Sequence, residues 1–278
     1  MMCANRDVAI MRDSRGRRSS RGAIVALLAL ISSSSTVAGA APKQDMLQVG
    51  QRLARFDLIK PGVHNYVRFL ITPDGHRNAI DIWRREISFE TKDGRRLMHV
   101  HQQWDEIARP GVLIQDSWFE PDTMRPVTHV RILTRDGKTT IGGYRFLPDK
   151  VVGMDDLPDN SRKGFAQLTP EPTNNWETDM EYLQALPLGP GYAANINFYD
   201  PGLEPPARYV YAVSGGGRIA TVGGGDIDCW IVSITARDKS GVTPISLWFA
   251  KKTHVLVREE AKNPDGSTLI KSLLVSEA

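Results

Sequence analysis

Cysteine is nearly absent. Two occur in 278 residues, Cys3 and Cys229, so the chain is no disulfide scaffold. Long apolar runs are equally scarce. The longest is Ala23–Ile31, nine residues. As a helix it would rise about 14 Å against about 30 Å of bilayer hydrocarbon, which excludes a polytopic membrane protein. No charge sign dominates, because 35 Lys and Arg face 32 Asp and Glu. There is no N-x-[ST] sequon. Composition otherwise suits a folded protein, 41% hydrophobic and 24% charged, and not a disordered one. Glycine and proline are abundant, 24 and 17, and that excess implies many turns.

The first forty residues read as an address. Arg12, Arg15, Arg17, Arg18 and Arg21 form a basic start, followed by the short apolar run, a serine tract and Ala38-Gly39-Ala40. A basic segment, a short apolar segment and an A-x-A site describe a secretory signal peptide. Met11 is a reasonable start codon for a signal of ordinary length. Ser-Ser-Arg after Arg17-Arg18 departs from a twin-arginine signal, and no cysteine follows the apolar run to take a lipid. Residues 1–40 hold six Arg and two Asp, so the mature chain, residues 41–278, has a net charge of −1. That balance excludes a general basic surface for nucleic acid. Export without a disulfide or glycan site points to a bacterial periplasm.

The mature chain alternates β-rich segments with turn dipeptides, the pattern of an antiparallel meander. Predicted strands are His64–Ile71, Ala79–Glu90, Arg96–Trp104, Leu113–Phe119, Val127–Thr134 and Thr139–Leu147. Asp93-Gly94 and Asp136-Gly137 supply the positive φ of tight hairpins. A second block comprises Arg208–Val213, Asp228–Ala236, Ile245–Ala250, Val255–Glu260 and Thr268–Val275. A Pro-, Asp- and Asn-rich connection, residues 148–175, lies between. One reading is a single β domain; the other is two halves, 41–150 and 175–278. One helix is predicted over 176–186. Asn174 or Asn175 caps it, Glu177 and Asp179 favour its first turn, and Met180, Leu183 and Leu186 share a face. Pro187 and Gly189 stop it.

Alternation places Met98, Val100, Gln102 and Trp104 on one side of their strand, and His99 and His101 on the other. In the same way Val130 and Ile132 oppose His129 and Arg131, while Trp230, Val232 and Ile234 align, as do Leu269, Leu273 and Val275. The charges Asp81, Arg84, Arg85 and Glu86 read as a solvated strand face. One-sided apolar strands need a cover. The expected fold is therefore mainly β, a curved antiparallel sheet or half-barrel over one or two helices, with an apolar groove where it is incompletely filled.

Three segments carry a resemblance. They are Arg208-Tyr-Val-Tyr-Ala-Val-Ser-Gly, Asp228-Cys-Trp-Ile-Val, and Ser246-Leu-Trp-Phe-Ala-Lys-Lys-Thr-His-Val-Leu-Val-Arg258, in which Trp248, Lys251-Lys252 and Arg258 fit a Trp–lysine turn–apolar strand–Arg pattern. Over about 70 residues the chain resembles an uncharacterised family of exported bacterial proteins related to periplasmic lipoprotein carriers and outer-membrane lipoprotein receptors. The resemblance implies a curved sheet wrapped over helices and holding acyl chains. It implies no catalytic residues.

His99-x-His101 presents two imidazoles on one strand face, a spacing zinc can use. In a meander Asp116 lies on the next strand and completes a set of His99, His101 and Asp116. His129 is a strand further, about 9.6 Å away. The competing reading is two solvated histidines. Cys229 with His254 as base reads better as a buried cysteine. Gly215–Gly217 and Gly223–Gly225 lack the Lys-Ser/Thr and helix of a nucleotide loop and read as flexible turns. Asp226 and Asp228 are too few for calcium. Trp83, Trp104, Trp118, Trp230 and Trp248 are candidate groove residues, with ordinary core as the alternative.

The leading expectation is non-catalytic binding of a lipid, acyl chain or lipidated partner in the periplasm, with no cofactor, no nucleic acid and no membrane span after signal removal. The alternatives are a metal-assisted hydrolase at the His-x-His site, with zinc, and an envelope scaffold offering a sheet edge.

Overall fold

A computed structural model describes residues 44–203, 205–221, 223–238 and 241–277. The predicted signal peptide lies outside them. No helix among the described residues is long and apolar enough to cross a membrane.

The first block forms β2 (Gly62–Ile71), β3 (Arg77–Lys92), β4 (Arg95–Glu106), β5 (Gly111–Glu120), β6 (Arg125–Arg135) and β7 (Lys138–Phe146). These pair in sequence as antiparallel hairpins. Asp93 and Gly94 (φ 51° and 71°) and Asp136 and Gly137 (φ 52° and 71°) make the tight turns, because both central residues of such a turn need positive φ. The second block forms β12 (Ala207–Ala220), β13 (Asp226–Asp238), β14 (Gly241–Ala250), β15 (Leu256–Lys262) and β16 (Thr268–Glu277). Short strands complete the set: β1 (Gln44–Leu47), β8 (Lys150–Gly153), β9 (Ala166–Leu168), β10 (Asn174–Asn175) and β11 (Ala193–Tyr199).

The described strands form one open, mostly antiparallel sheet of sixteen. Its order is β1, then β11 through β16, then β2 through β9, with β10 alongside β11. β16 pairs with β2 from Thr268↔Ile71 to Glu277↔Val63, which joins the two blocks. β1 and β10 are its parallel members, both beside β11. The mainly β, antiparallel architecture is as the alternation implies.

One short helix, α1 (Asp179–Gln184), follows a 3-10 turn at Trp176–Thr178. It is shorter than the predicted span. The Asn175 side chain caps the turn by accepting from the Glu177 N–H at 3.2 Å, the expected role of asparagine there. Met180, Tyr182, Leu183 and Leu186 are buried, and Tyr182 meets Phe198 of β11 edge-on at 5.7 Å.

The helix-bearing face has two characters. From β11 to β14 it carries Ile196, Phe198, Tyr211, Val232, Ile234, Ile245, Leu247 and Phe249, each no more than 4% exposed. From β15 to β7 it is crossed by polar lanes. One lane runs strand by strand through Glu259, Lys271, Arg68 and Asp81. The next runs through His64, Arg85, Gln102, Gln115 and Arg131. The 3-10 turn and α1 close this second lane. Glu181 takes Arg85 in a bidentate pair, and Glu177 takes Arg131 at 2.5 Å and Gln115 at 3.1 Å. Asp200 also pairs with Arg131.

These lanes correct two expectations. Asp81 and Arg85 are buried, at 0% and 1% exposure, so the charges of β3 are not one solvated face. Only Arg84 and Glu86, paired at 2.7 Å and about 41% exposed, fit that description. In β6 it is His129 and Arg131 that face the helix, while Val130 and Ile132 face outward. Partners decide this inversion, since Ser117 Oγ lies 2.8 Å from His129 Nδ1 and Glu177 and Asp200 take Arg131. A buried polar group is tolerable once it is hydrogen-bonded.

Two smaller corrections concern the second block. Gly215–Gly217 lie inside β12, not in a turn, and a register shift sits between Val213 and Gly215. In β16 a shift between Leu273 and Val275 breaks the alternation and leaves Leu274 54% exposed. Gly223–Gly225 do form the β12–β13 turn, with Gly224 at φ 82°.

Candidate metal centre

Val100, Gln102 and Trp104 of β4 face the helix and are buried. Strand alternation therefore sends His99 and His101 to the outer face. The β4–β5 register sets His101 opposite Asp116 and His99 opposite Trp118. The three expected ligands converge. Asp116 Oδ1 lies 2.8 Å from His99 Nε2 and 2.8 Å from His101 Nδ1, and the three ligand atoms are within 4.8 Å of one another. Their side chains are 15%, 30% and 29% exposed. Burial would raise the Asp116 carboxyl, but hydrogen bonds and charge from His99 and His101 outweigh it and hold the group below its ordinary range.

His99 is held most firmly. Its ring stacks on Trp118, with centroids 4.0 Å apart and planes 2° from parallel. Its Nδ1 faces Glu90 Oε1 at 3.4 Å. Ser88, opposite His99 in the β3–β4 register, donates to the same Glu90 oxygen at 2.5 Å. The Ser88 hydroxyl first, with His99 and Lys92 adding to it, holds the Glu90 carboxyl below its ordinary range against burial, which would raise it.

Two imidazole nitrogens and a carboxylate oxygen form a zinc-class donor set. Tetrahedral zinc with ligands near 2.0–2.1 Å separates them by about 3.3 Å. The observed contacts would open by about half an ångström, within reach of side-chain motion at a part-exposed site. Three protein ligands leave a fourth position to water or a substrate atom. His129 is on the opposite face, 0% exposed. Burial, with Arg131 adding to it, pushes its imidazole down to about 3, so it stands neutral and outside this set.

The five candidate groove tryptophans do not come together as one set. Trp83 and Trp104 pair at 4.5 Å on the helix-bearing face, 2% and 7% exposed. Lys271, Arg85 and Arg68 lie over their rings. They pack among charges. Trp230 aligns with Val232 and Ile234 and carries Lys251 at 4.6 Å. Trp118 and Trp248 lie on the outer face, Trp118 with His99 and Trp248 beside Cys229, Ala250 and Val257. Two surface clefts lie apart from all five: about 420 Å³ beside Arg52, Leu53, Phe56 and Asp122, and about 170 Å³ beside Val49, Arg125, Phe146 and Pro172.

The remaining candidates are structural. Cys229 is fully buried, and burial pushes its thiol up to about 11, which makes it inert. His254 Nδ1 bonds the Gln184 carbonyl at 3.1 Å, and no hydrogen bond joins it to Cys229 among the described residues. Asp226 and Asp228 both lie near Arg218. What sequence reasoning missed is the polar lane under the helix. Its one advance signal is Glu177 and Glu181, an i,i+4 acidic pair on a helix with no lysine or arginine of its own.

A family described as "Protein of unknown function (DUF3108)" matches residues 67–274. No curated protein matches the chain. Among solved structures, one described as a "Beta-barrel-like Protein of Domain of Unknown Function DUF1849 from Brucella abortus" is similar, with a TM-score of 0.50 and 11% identity. The likeness covers 78% of this chain and 97% of that one. At that identity it concerns the fold alone.

Proposed function

We propose that this chain, which belongs to the DUF3108 family of unknown function, is an exported envelope protein that binds a divalent transition metal ion of the zinc class through His99, His101 and Asp116. The observation that carries the reading is the convergence of Asp116 Oδ1 on both imidazoles at 2.8 Å. Of the candidate sites in the sequence, this is the one whose ligand atoms meet. The site is on the outer face of the sheet and part-exposed, so an ion can enter and leave without unfolding. The fourth position would give the ion Lewis-acid chemistry toward a bound water or carbonyl. The protein's own part is to hold the three donors and orient their lone pairs.

The test is metal content. Protein carrying no polyhistidine tag, equilibrated with zinc and then desalted, is expected to retain one zinc per chain by plasma mass spectrometry. The double variant His99→Ala/His101→Ala is expected to retain none. Substoichiometric zinc in the unaltered protein overturns the reading.

Binding of a lipid, acyl chain or lipidated partner is the second reading, supported by the apolar wall of β11–β14 and by the resemblance to lipoprotein carriers. Tyr182, Leu183 and Leu186 of the helix segment are buried in this structure. An acyl chain would have to displace them, and burial is worth about 25 cal/mol per Å² of apolar surface on either side of that exchange. Native mass spectrometry after gentle purification decides it: a co-purifying lipid supports the reading, and a ligand-free mass opposes it.

A further inference from the structure

The two histidines of the metal centre are not equivalent, and the difference lies in what stands behind each ring. His101 has Asp116 on Nδ1 and no recorded hydrogen bond on Nε2 among the described residues. His99 has Asp116 on Nε2, Glu90 facing Nδ1, and Trp118 stacked against its plane. Glu90 is itself tied by Ser88 at 2.5 Å. Ser88 is the cross-strand neighbour of His99, and Glu90 lies two residues along the same strand as Ser88 and on the same face.

Resting on the metal reading above, we propose that Glu90 is a positioning residue for the centre, held by Ser88, and that it makes His99 the anchoring ligand. A neutral imidazole carries one N–H. A metal on Nε2 needs that nitrogen's lone pair, so the proton must sit on Nδ1. A carboxylate beyond Nδ1 accepts that proton's hydrogen bond, so that the Nε2 proton Asp116 accepts in the absence of an ion can leave to solvent when the metal binds, and it raises the basicity of Nε2. Glu90 Oε1 stands on the required side of the ring. When an ion draws charge from the ring, Nδ1–H becomes a stronger donor, and the 3.4 Å separation is expected to shorten. Trp118 supplies the remaining constraint, because a parallel stack at 4.0 Å opposes rotation of the ring out of the ligand plane. His101 has Glu86 as its cross-strand neighbour, but Glu86 pairs with Arg84 at 2.7 Å and no hydrogen bond or ion pair among the described residues joins it to His101, so His101 enters the set as the looser ligand.

The experiment pairs zinc affinity with a direct reading of the Nδ1–H proton. Zinc dissociation constants are measured by chelator competition for the unaltered protein and for Glu90→Ala, Glu90→Gln and Ser88→Ala. Glu90 is about half exposed, so the fold should tolerate all three, and metal-free thermal melting checks this. Glu90→Ala is expected to weaken zinc about tenfold, within the usual 10–100-fold range for such outer ligands. Ser88→Ala should weaken it less. Glu90→Gln should largely rescue binding, since its amide oxygen still accepts from Nδ1–H. Long-range ¹H–¹⁵N spectra of histidine-labelled, zinc-loaded protein should show the His99 Nδ1–H proton moved downfield by its bond to Glu90, a shift that Glu90→Ala should lose. Unchanged affinity together with an unchanged His99 spectrum in Glu90→Ala overturns this inference and leaves the metal reading standing. Failure of the unaltered protein to bind zinc overturns both.

Discussion

The two halves of the helix-bearing face close by opposite means. From β11 to β14, large apolar side chains at 0–4% exposure do it by area. From β15 to β7, Arg68–Asp81, Arg85–Glu181, Lys271–Glu259 and Arg131 with Glu177 and Asp200 do it by pairing. One sheet and one short cover thus serve two kinds of interior. Area is forgiving, because the loss from truncation scales with the volume removed. Pairing is not, because a lone buried charge costs far more than its pair contributed.

The largest effect should therefore come from splitting a pair. Arg85 is 1% exposed and Glu181 3%. Arg85→Ala leaves the carboxylate buried alone and should cost about 3–5 kcal/mol. Arg85→Met with Glu181→Leu should return most of that loss, since apolar replacement of a whole buried pair is often near neutral. In the apolar half Leu247→Ala should cost about 2–5 kcal/mol, and no second truncation should restore it. Denaturant melts of these three variants and the unaltered protein make the comparison. If the double variant is as unstable as Arg85→Ala, pairing is not what closes this half.

Acid should separate the halves next. His129 has its imidazole pushed down to about 3 by burial and then Arg131, below an ordinary value near 6.5. A depressed native pKa means the unfolded chain takes the proton first. The contribution is thus fully present above pH 6.5 and is lost as pH falls from there toward 3. Glu177 acts in the same direction further down. Burial opposes its ionisation, but Arg131 and His129 hold its carboxyl down to about 2, so its contribution fades as pH falls from about 4.5 toward 2. His129→Gln should remove the upper part of this acid sensitivity, a few kcal/mol between pH 6.5 and 3. Asp179 slopes the other way. Burial first, with Glu259 adding, raises its carboxyl to about 6 against the pull of Lys271, so its contribution is lost as pH rises through 6. Melts across pH 3–7 check the set, and an unchanged slope in His129→Gln refutes the assignment.

The same contrast explains what could be read in advance. Hairpins were legible because Asp93-Gly94 and Asp136-Gly137 name their own turn geometry. The start of the 3-10 turn that leads into α1 was legible because Asn175 is a side-chain cap, although the helix itself begins three residues later than the predicted 176. The convergence of His99, His101 and Asp116 was legible because a meander puts residues of adjacent strands side by side, so that His101 meets Asp116. The polar lane was not, because the alternation rule assigns apolar residues inward, and it fails where polar side chains bring their partners with them. Val130 and Ile132 misled for that reason. β11 was missed for a related one: Ala193–Tyr199 is buried on both sides and shows no alternation to detect. The placement of the five tryptophans was not legible because indoles recur on both faces of the strands, and residue type alone does not say which.

The smallest effect tests whether closure by area extends to the outer face of the second block. Trp248 points outward and lies across β13 onto β12, where a Cβ on Gly217 would come within 2.4 Å of its ring. Gly217 sits in strand conformation without positive φ, so the absent side chain serves the indole and not the backbone. Gly217→Ala should then cost about 1–3 kcal/mol by overpacking. Gly215, two residues away in the same strand, would put its Cβ in open space. Gly215→Ala should be neutral or slightly stabilising, because alanine lowers the entropy of the unfolded chain. A rigid ring seat predicts a clear difference between these neighbours in thermal midpoint. Equal midpoints would mean that Trp248 swings aside at no cost, and that area closes only the helix-bearing face.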